Sequence, residues 1–330
     1  MKNQSFHRKQ TSKVVQHTKL PAVSGFSLNP SMSARDLLHA LGAIGFQATH
    51  VGQAAAIIRT MVQEGVHIYL TYTSNMVSSG LREIFAQLVR EGLVHAIITT
   101  TGAIEEDVMK TQAPFRVGSF EEDDVMLKAN KINRLGNLYI KDDQYCDFED
   151  YHMKFLEHCY AQRHIWCPSE YIHALGLTIQ DEHSILHWAS KNTIPIYCPG
   201  IVDGAMGDHF FFFNEKHGKD PFIMDTAKDM TLFYKRLLDS PKTGGIILGG
   251  GIAKHHLIGG AILRNGLDYA VYISTGTQYD GSLTGAKPRE AVSWNKLKAD
   301  ASNSVHVEAD ATLVFPLLAL EMMAMKNTHR

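Results

Sequence analysis

Trp294 and Lys296 stand two residues apart in the stretch EAVSWNKLKADA, residues 290–301, whose apolar pattern is neither clearly helical nor clearly extended. If the backbone there is extended, both side chains point to one face. An indole beside an amine excludes water from it, and desolvation favours the uncharged amine that Schiff-base chemistry requires. The same ring can instead hold a substrate cation over its face. Against both stands the ordinary state of a lysine, a solvated surface charge.

Other groups could share that work. The pairs Glu105 with Glu106 and Asp203 with Asp208 could hold a ribose hydroxyl or an ammonium. For Glu105 and Glu106 the plainer reading is a first helical turn, where carboxylates meet the positive end of the macrodipole. Asp203 and Asp208 lie in DGAMGD, a glycine-rich stretch with few apolar anchors, which favours a working loop. His183 and His187 have the i, i+4 spacing of two helical metal ligands. The glutamate of H-E-x-x-H is missing, so two half-exposed helix histidines and no metal are expected. His255 and His256 have no further ligand nearby in sequence and read as ligand-bonding or structural groups.

These residues need elements to carry them. A short apolar run, a polar or glycine turn and an amphipathic helix recur at 66–92, 94–112, 194–208, 243–266, 267–275 and 304–325. Strand, turn and helix in that order make βα units, and nearly all-apolar strands joined by helices imply a parallel sheet covered on both faces. The expected fold is therefore α/β, Rossmann-like and doubly wound, with a mostly parallel sheet. Ligands of such sheets bind beyond the carboxyl ends of the strands. There the sequence places TSN (73–75), TTTG (99–102), DGAMGD (203–208), GGG (249–251) and STGTQYDGS (274–282). The dinucleotide fingerprint G-x-G-x-x-G is not completed: Lys254 stands where the last glycine would follow Gly249 and Gly251. Tight βα turns explain these glycines as well as a phosphate-binding loop does.

The totals set the bounds. The 330 residues, 45% hydrophobic, suffice for one large domain or two. Lys and Arg number 32 against 34 Asp and Glu, which gives no nucleic-acid footprint and no attraction to acidic membranes. The four cysteines form no C-x-x-C pair and read as buried thiols of a reducing compartment. No apolar leader and no run near the ~18 apolar residues of a membrane span is present, so a cytoplasmic protein is expected. Residues 1–24 are basic, polar and without periodicity, a flexible arm, and residues 25–330 are expected to form one domain.

The sequence resembles the deoxyhypusine synthase family. The resemblance runs from about Ser24 to about Met325 through ordered blocks. They include YTSNMVSSGLRE (72–83), TTTGAIEED (99–107), DGAMGD (203–208), IILGGGIAKHH (246–256), YDGS (279–282), EAVSWNK (290–296) and ADATLVFPLL (309–318). It implies a homotetramer with NAD and active sites at dimer interfaces. It also implies a reaction in which spermidine is oxidised beside its secondary amine and captured by Lys296 as 1,3-diaminopropane leaves. The aminobutyl group then passes to a lysine of translation initiation factor 5A. Matched by position, NAD contacts fall on Ser74, Asn75, Thr100, Gly102, Glu106, Asp203, Thr275, Asp280, Ala309 and Asp310. Polyamine contacts fall on Asp208, Glu290 and Trp294, with Lys296 as nucleophile and His255 in proton transfer or orientation.

The chain also departs from the family pattern. Leu283 in YDGSLTG replaces a usual aspartate, removing an expected partner for one ammonium of the donor. Thr101, Ala103, Gly276 and Asn295 are further departures, nearer to tuning than to loss. Two other readings fit the same residues: a homospermidine synthase with putrescine as acceptor, and a non-catalytic homologue that binds NAD or a polyamine. No scaffold needs Lys296, His255, Glu290, Trp294 and Asp208 together, which favours an enzyme.

Overall fold

A computed structural model describes residues 20–327; most of the N-terminal arm, residues 1–19, lies outside them. Six strands form the central sheet: β1 His67–Thr71, β2 Ala96–Ile98, β3 Ile196–Tyr197, β4 Thr243–Leu248, β5 Tyr269–Ser274 and β6 Ser304–Glu308. All pair in parallel, in the order β3-β2-β1-β4-β5-β6. This is the doubly wound order, and its direction reverses between β1 and β4.

Period-two alternation sends neighbouring strand residues into two cores. Ile68, Leu70, Ile97, Ile246, Val271, Ile273 and Val305 join one cluster with Ile58 and Met61 of helix Phe46–Gln63 and Phe315 and Leu318 of helix Ala311–Asn327. Tyr69, Ile98, Ile247, Ala270 and Tyr272 join the other, with Phe233 of helix Thr226–Asp239 and Ala253 and Leu257 of helix Gly251–Gly260. The stretch 33–65 makes two helices, Ala34–Leu41 and Phe46–Gln63, the first opened by the Ser33–Asp36 capping box. The buried Glu321 carboxylate joins both to the last helix through Arg35, His39 and Arg59.

Between β2 and β3 lies a small antiparallel sheet that periodicity did not announce: Arg116–Val117, Ile132–Leu135 and Leu138–Lys141. Its hairpin turns at Gly136, whose φ of 59° is the left-handed conformation glycine tolerates. Among the described residues no helix is long and apolar enough to cross a membrane. Cys159, Cys167 and Cys198 are buried, whereas Cys146 is exposed, contrary to the expectation of four buried thiols.

Candidate active site

A cavity of about 340 Å³ opens at the carboxyl ends of β1, β4, β5 and β6. Thr73, Asn75, Gly249–Gly251, Ser274, Thr275, Thr284, Ala309 and Asp310 line it, at the point where the strand order reverses. Gly249 and Gly251 take φ values of 81° and 60°, and a Cβ on Gly250 would strike Thr284. The chain thus reaches the amino end of helix Gly251–Gly260 with backbone alone facing the cavity. Small residues, amide groups and an acidic side chain, Asp310, suit a dinucleotide. Of the expected cofactor residues, Asn75, Thr275, Ala309 and Asp310 lie here.

Ser74, Thr100 and Gly102 form the next layer. The Ser74 amide donates to the Thr100 hydroxyl at 3.0 Å, and Gly102 packs so closely on Ser74 that a Cβ would not fit. Glu105 and Glu106 are not first-turn residues. They sit beyond it in helix Thr101–Gln112, and both are buried. Burial pushes both carboxyls up to about 7, and Asp208 and Asp203 raise Glu105 further. Glu105 accepts the Met206 amide at 2.6 Å and so holds the start of helix Ala205–His217, while Glu106 accepts the Ser78 hydroxyl. Asp203 is exposed in the loop above, but Asp208 stands in the first turn of that helix, exposed, rather than in a loop. Asp280 is exposed on the 275–287 loop, where its carboxylate accepts the Ser282 amide at 2.7 Å. It lines neither cavity described here.

A second, much smaller cavity, about 20 Å³, is lined by Lys296, Trp294, Glu290, Leu283, Lys254 and Tyr272, among others. The backbone at Trp294–Lys296 is a helix ending, not extended chain. Helix Pro288–Ser293 closes with Asn295 at φ 55°, and the Lys296 and Asn295 amides donate back to the carbonyls of Ala291 and Val292. Asparagine tolerates that left-handed position, so the departure from glycine at 295 costs little geometry. The two side chains still meet, with Lys296 Nζ 5.2 Å from the Trp294 ring centroid. The Lys296 backbone is fixed to the segment leading into β5: the Leu267 amide donates to the Lys296 carbonyl at 3.1 Å, and Gly266 leaves no room for a Cβ against Leu297. Trp294 is 62% exposed, and its outer surface is open to a ligand. His255 is exposed on helix Gly251–Gly260 and, like Asp208, lies outside this cavity.

Sequence reasoning missed Lys254. It is 1% exposed, and its ammonium donates to the carbonyls of Leu283 and Ala286 at 2.7 and 2.8 Å, above the Tyr272 ring. Burial lowers its pKa to about 8, opposed by Glu290 and aided by the charges of Lys287 and Lys296. The signal was present, since Lys254 shares the buried stripe of Leu257 and Ile258. The clamp holds the loop that separates the cavities, with Leu283 facing the amines and Thr284 facing the larger space.

His183 and His187 do not share a helical face. The helix begins only at Ile185, so His183 precedes it, and His187 is bound to the Ile179 carbonyl at 2.7 Å.

The fold and the cavity at its switch point define an open, doubly wound α/β protein. The family model for deoxyhypusine synthase matches residues 36–322. The chain is 43% identical to the "Probable deoxyhypusine synthase" of Pyrococcus abyssi, over 92% of this chain and 94% of that protein. It is 40% identical to the deoxyhypusine synthase of Caenorhabditis elegans, over 91% and 88%. A solved structure from Entamoeba histolytica, provisionally named a deoxyhypusine synthase, matches with a TM-score of 0.65 at 28% identity, over 92% of this chain and 97% of that one. AgrE in ternary complex with ornithine and NAD+ gives 0.52 at 14% identity, over 84% and 34%, a likeness of fold alone. The chain belongs to the deoxyhypusine synthase family and is by that membership an enzyme, a transferase.

Proposed function

We propose that this chain transfers the aminobutyl group of spermidine to a lysine of translation initiation factor 5A, with NAD as cofactor and Lys296 as the covalent carrier. One observation carries the reading: the cavity of Lys296, Trp294 and Glu290 shares the Leu283–Thr284 wall with the switch-point cavity. An amine nucleophile and a dinucleotide-shaped space thus face one short loop.

Asn75, Thr275, Ala309 and Asp310 would hold NAD in the larger cavity, with Ser74, Thr100, Gly102, Glu106 and Asp203 supporting them and Asp280 acting from the loop. Bound there, NAD supplies the hydride acceptor and later the donor that no side chain can provide. Trp294 offers its face to the cationic amines, and Glu290 and Asp208 bind ammonium ends by charge-assisted hydrogen bonds. His255 orients the secondary amine or takes its proton. Lys296 attacks the oxidised carbon, 1,3-diaminopropane departs, and the four-carbon amine stays on Lys296 as an imine. The acceptor's lysine then displaces Lys296.

Because Asp208 and His255 stand exposed outside the amine cavity, the complete polyamine site in this reading forms at an interface of a homotetramer. Residues 25–330 act as one catalytic domain behind the arm, in the cytoplasm. Leu283 turns an apolar side chain toward the amines, which favours altered handling of the donor and keeps putrescine in view as an acceptor.

The test incubates the protein with NAD and labelled spermidine plus either purified factor 5A or putrescine. The reading predicts released 1,3-diaminopropane and label on a factor lysine. Labelled homospermidine alone would assign the other acceptor, and no diaminopropane with either would contradict the reading.

A further inference from the structure

A third cavity, about 460 Å³, lies at the opposite, amino-terminal edge of the sheet. It is lined by His67 at the start of β1, Pro195 and Tyr197 at β3, Arg236 and Asp239 of helix Thr226–Asp239, and Ser240, among others. Its volume falls within the range of small-molecule sites.

Two polar groups here lack protein partners. Tyr197 is only 3% exposed, packs its ring on Phe233 and lines the cavity, and its hydroxyl makes no hydrogen bond within the described residues. A phenylalanine would serve that packing equally well, so the hydroxyl remains available as a donor to a molecule in the cavity. Burial raises the Tyr197 pKa, so the group stays a donor. Arg236 also lines the cavity; its Nε is buried without a partner, while another nitrogen of the same guanidinium donates to the His95 carbonyl at 2.6 Å.

The surrounding groups set the sign of the ligand. His67 bonds Ser240 at 2.9 Å, and burial lowers its pKa, with the charges of Arg236 and Arg264 adding to the effect, so it is neutral near pH 7. Lys235 and Arg236 contribute two positive charges and Asp239 one negative, a net of one positive charge among the lining groups. Two donors with a single net positive charge suit a monoanion better than a dianion. Leu232 and Pro195 supply apolar contact. We infer that this cavity is a binding site for a small organic monocarboxylate, whose oxygens accept from Tyr197 and Arg236. It is separate from the proposed amine and NAD sites, whose residues lie at the other edge of the sheet.

Benzoate is the probe, titrated into the full chain by calorimetry, with benzamide as the neutral counterpart and inorganic phosphate as the dianion. Saturable binding of benzoate is expected, weakened about tenfold in Tyr197→Phe. That variant removes no protein contact and should melt no lower than the parent. Arg236→Gln should weaken binding further, whereas Lys296→Ala should leave it unchanged. Benzamide binding as tightly as benzoate, phosphate binding more tightly, or Tyr197→Phe binding benzoate like the parent would each overturn the inference, as would no binding at all.

Discussion

The two cavities at the carboxyl edge of the sheet are built differently. The larger is made by what the strands do at their ends: four turns of small residues meet where the strand order reverses, and topology alone brings them together. The smaller depends on a loop and a helix ending, residues 283–296, held by one buried lysine from beneath. It is nearly filled by its own side chains and lacks two of the residues expected in it, Asp208 and His255. A cavity at the switch point can thus be inherited with the fold, whereas the cavity around Lys296 has to be clamped into shape by its loop.

Lys254→Met breaks that contrast most strongly. It strips two loop carbonyls of their donor, and roughly 2–4 kcal/mol of stability should be lost by denaturant unfolding. Protease nicking should concentrate at 275–287, while NAD binding should fall less than polyamine binding. Equal loss of both would mean that the cavities are not independently built.

Glu105→Gln acts on the other side. Burial holds the Glu105 carboxyl near 7, above its ordinary 4.5. The folded chain therefore keeps a proton that the unfolded chain releases in that window, so stability is full below about pH 4.5 and falls as pH rises toward 7. Glutamine keeps an acceptor for the Met206 amide without the charge. The variant should be more stable than the parent above pH 7, on the order of 1–3 kcal/mol, and match it near pH 4.5. Thermal melts across that range check it.

Leu283→Asp gives the smallest effect and sharpens the difference between donor and cofactor. A carboxylate on the amine wall should lower the KM for spermidine about tenfold, the worth of one charge-assisted contact, and leave the NAD requirement unchanged.

Much of this was legible because hydrophobic runs ending in glycine or hydroxyl residues announce a parallel sheet and the edge where its ligands gather. All six strands and the polar turns after them follow from that pattern. The hairpin at 132–141 was not read, because its strands are short and half exposed, although Leu-Gly-Asn was a turn signal. Glu105 and Glu106 were misjudged because sequence does not say where a helix begins to the nearest turn. Trp294 and Lys296 meet through a helix ending that only Asn295 could have suggested. Lys254 escaped because a lysine is presumed exposed, even when its helix neighbours at i+3 and i+4 are Leu257 and Ile258. Tyr197 and Arg236 could not be found by pattern at all, since their meeting at one cavity, with the Arg236 Nε unpartnered, is a property of the packed chain.

Reductive trapping tests most directly whether Lys296 is the nucleophile. The protein is incubated with NAD and labelled spermidine, treated with borohydride and digested for mass spectrometry. An aminobutyl adduct is expected on Lys296, requiring NAD and disappearing in Lys296→Ala. An adduct on Lys254 instead, or diaminopropane released with Lys296 unmodified, would contradict it.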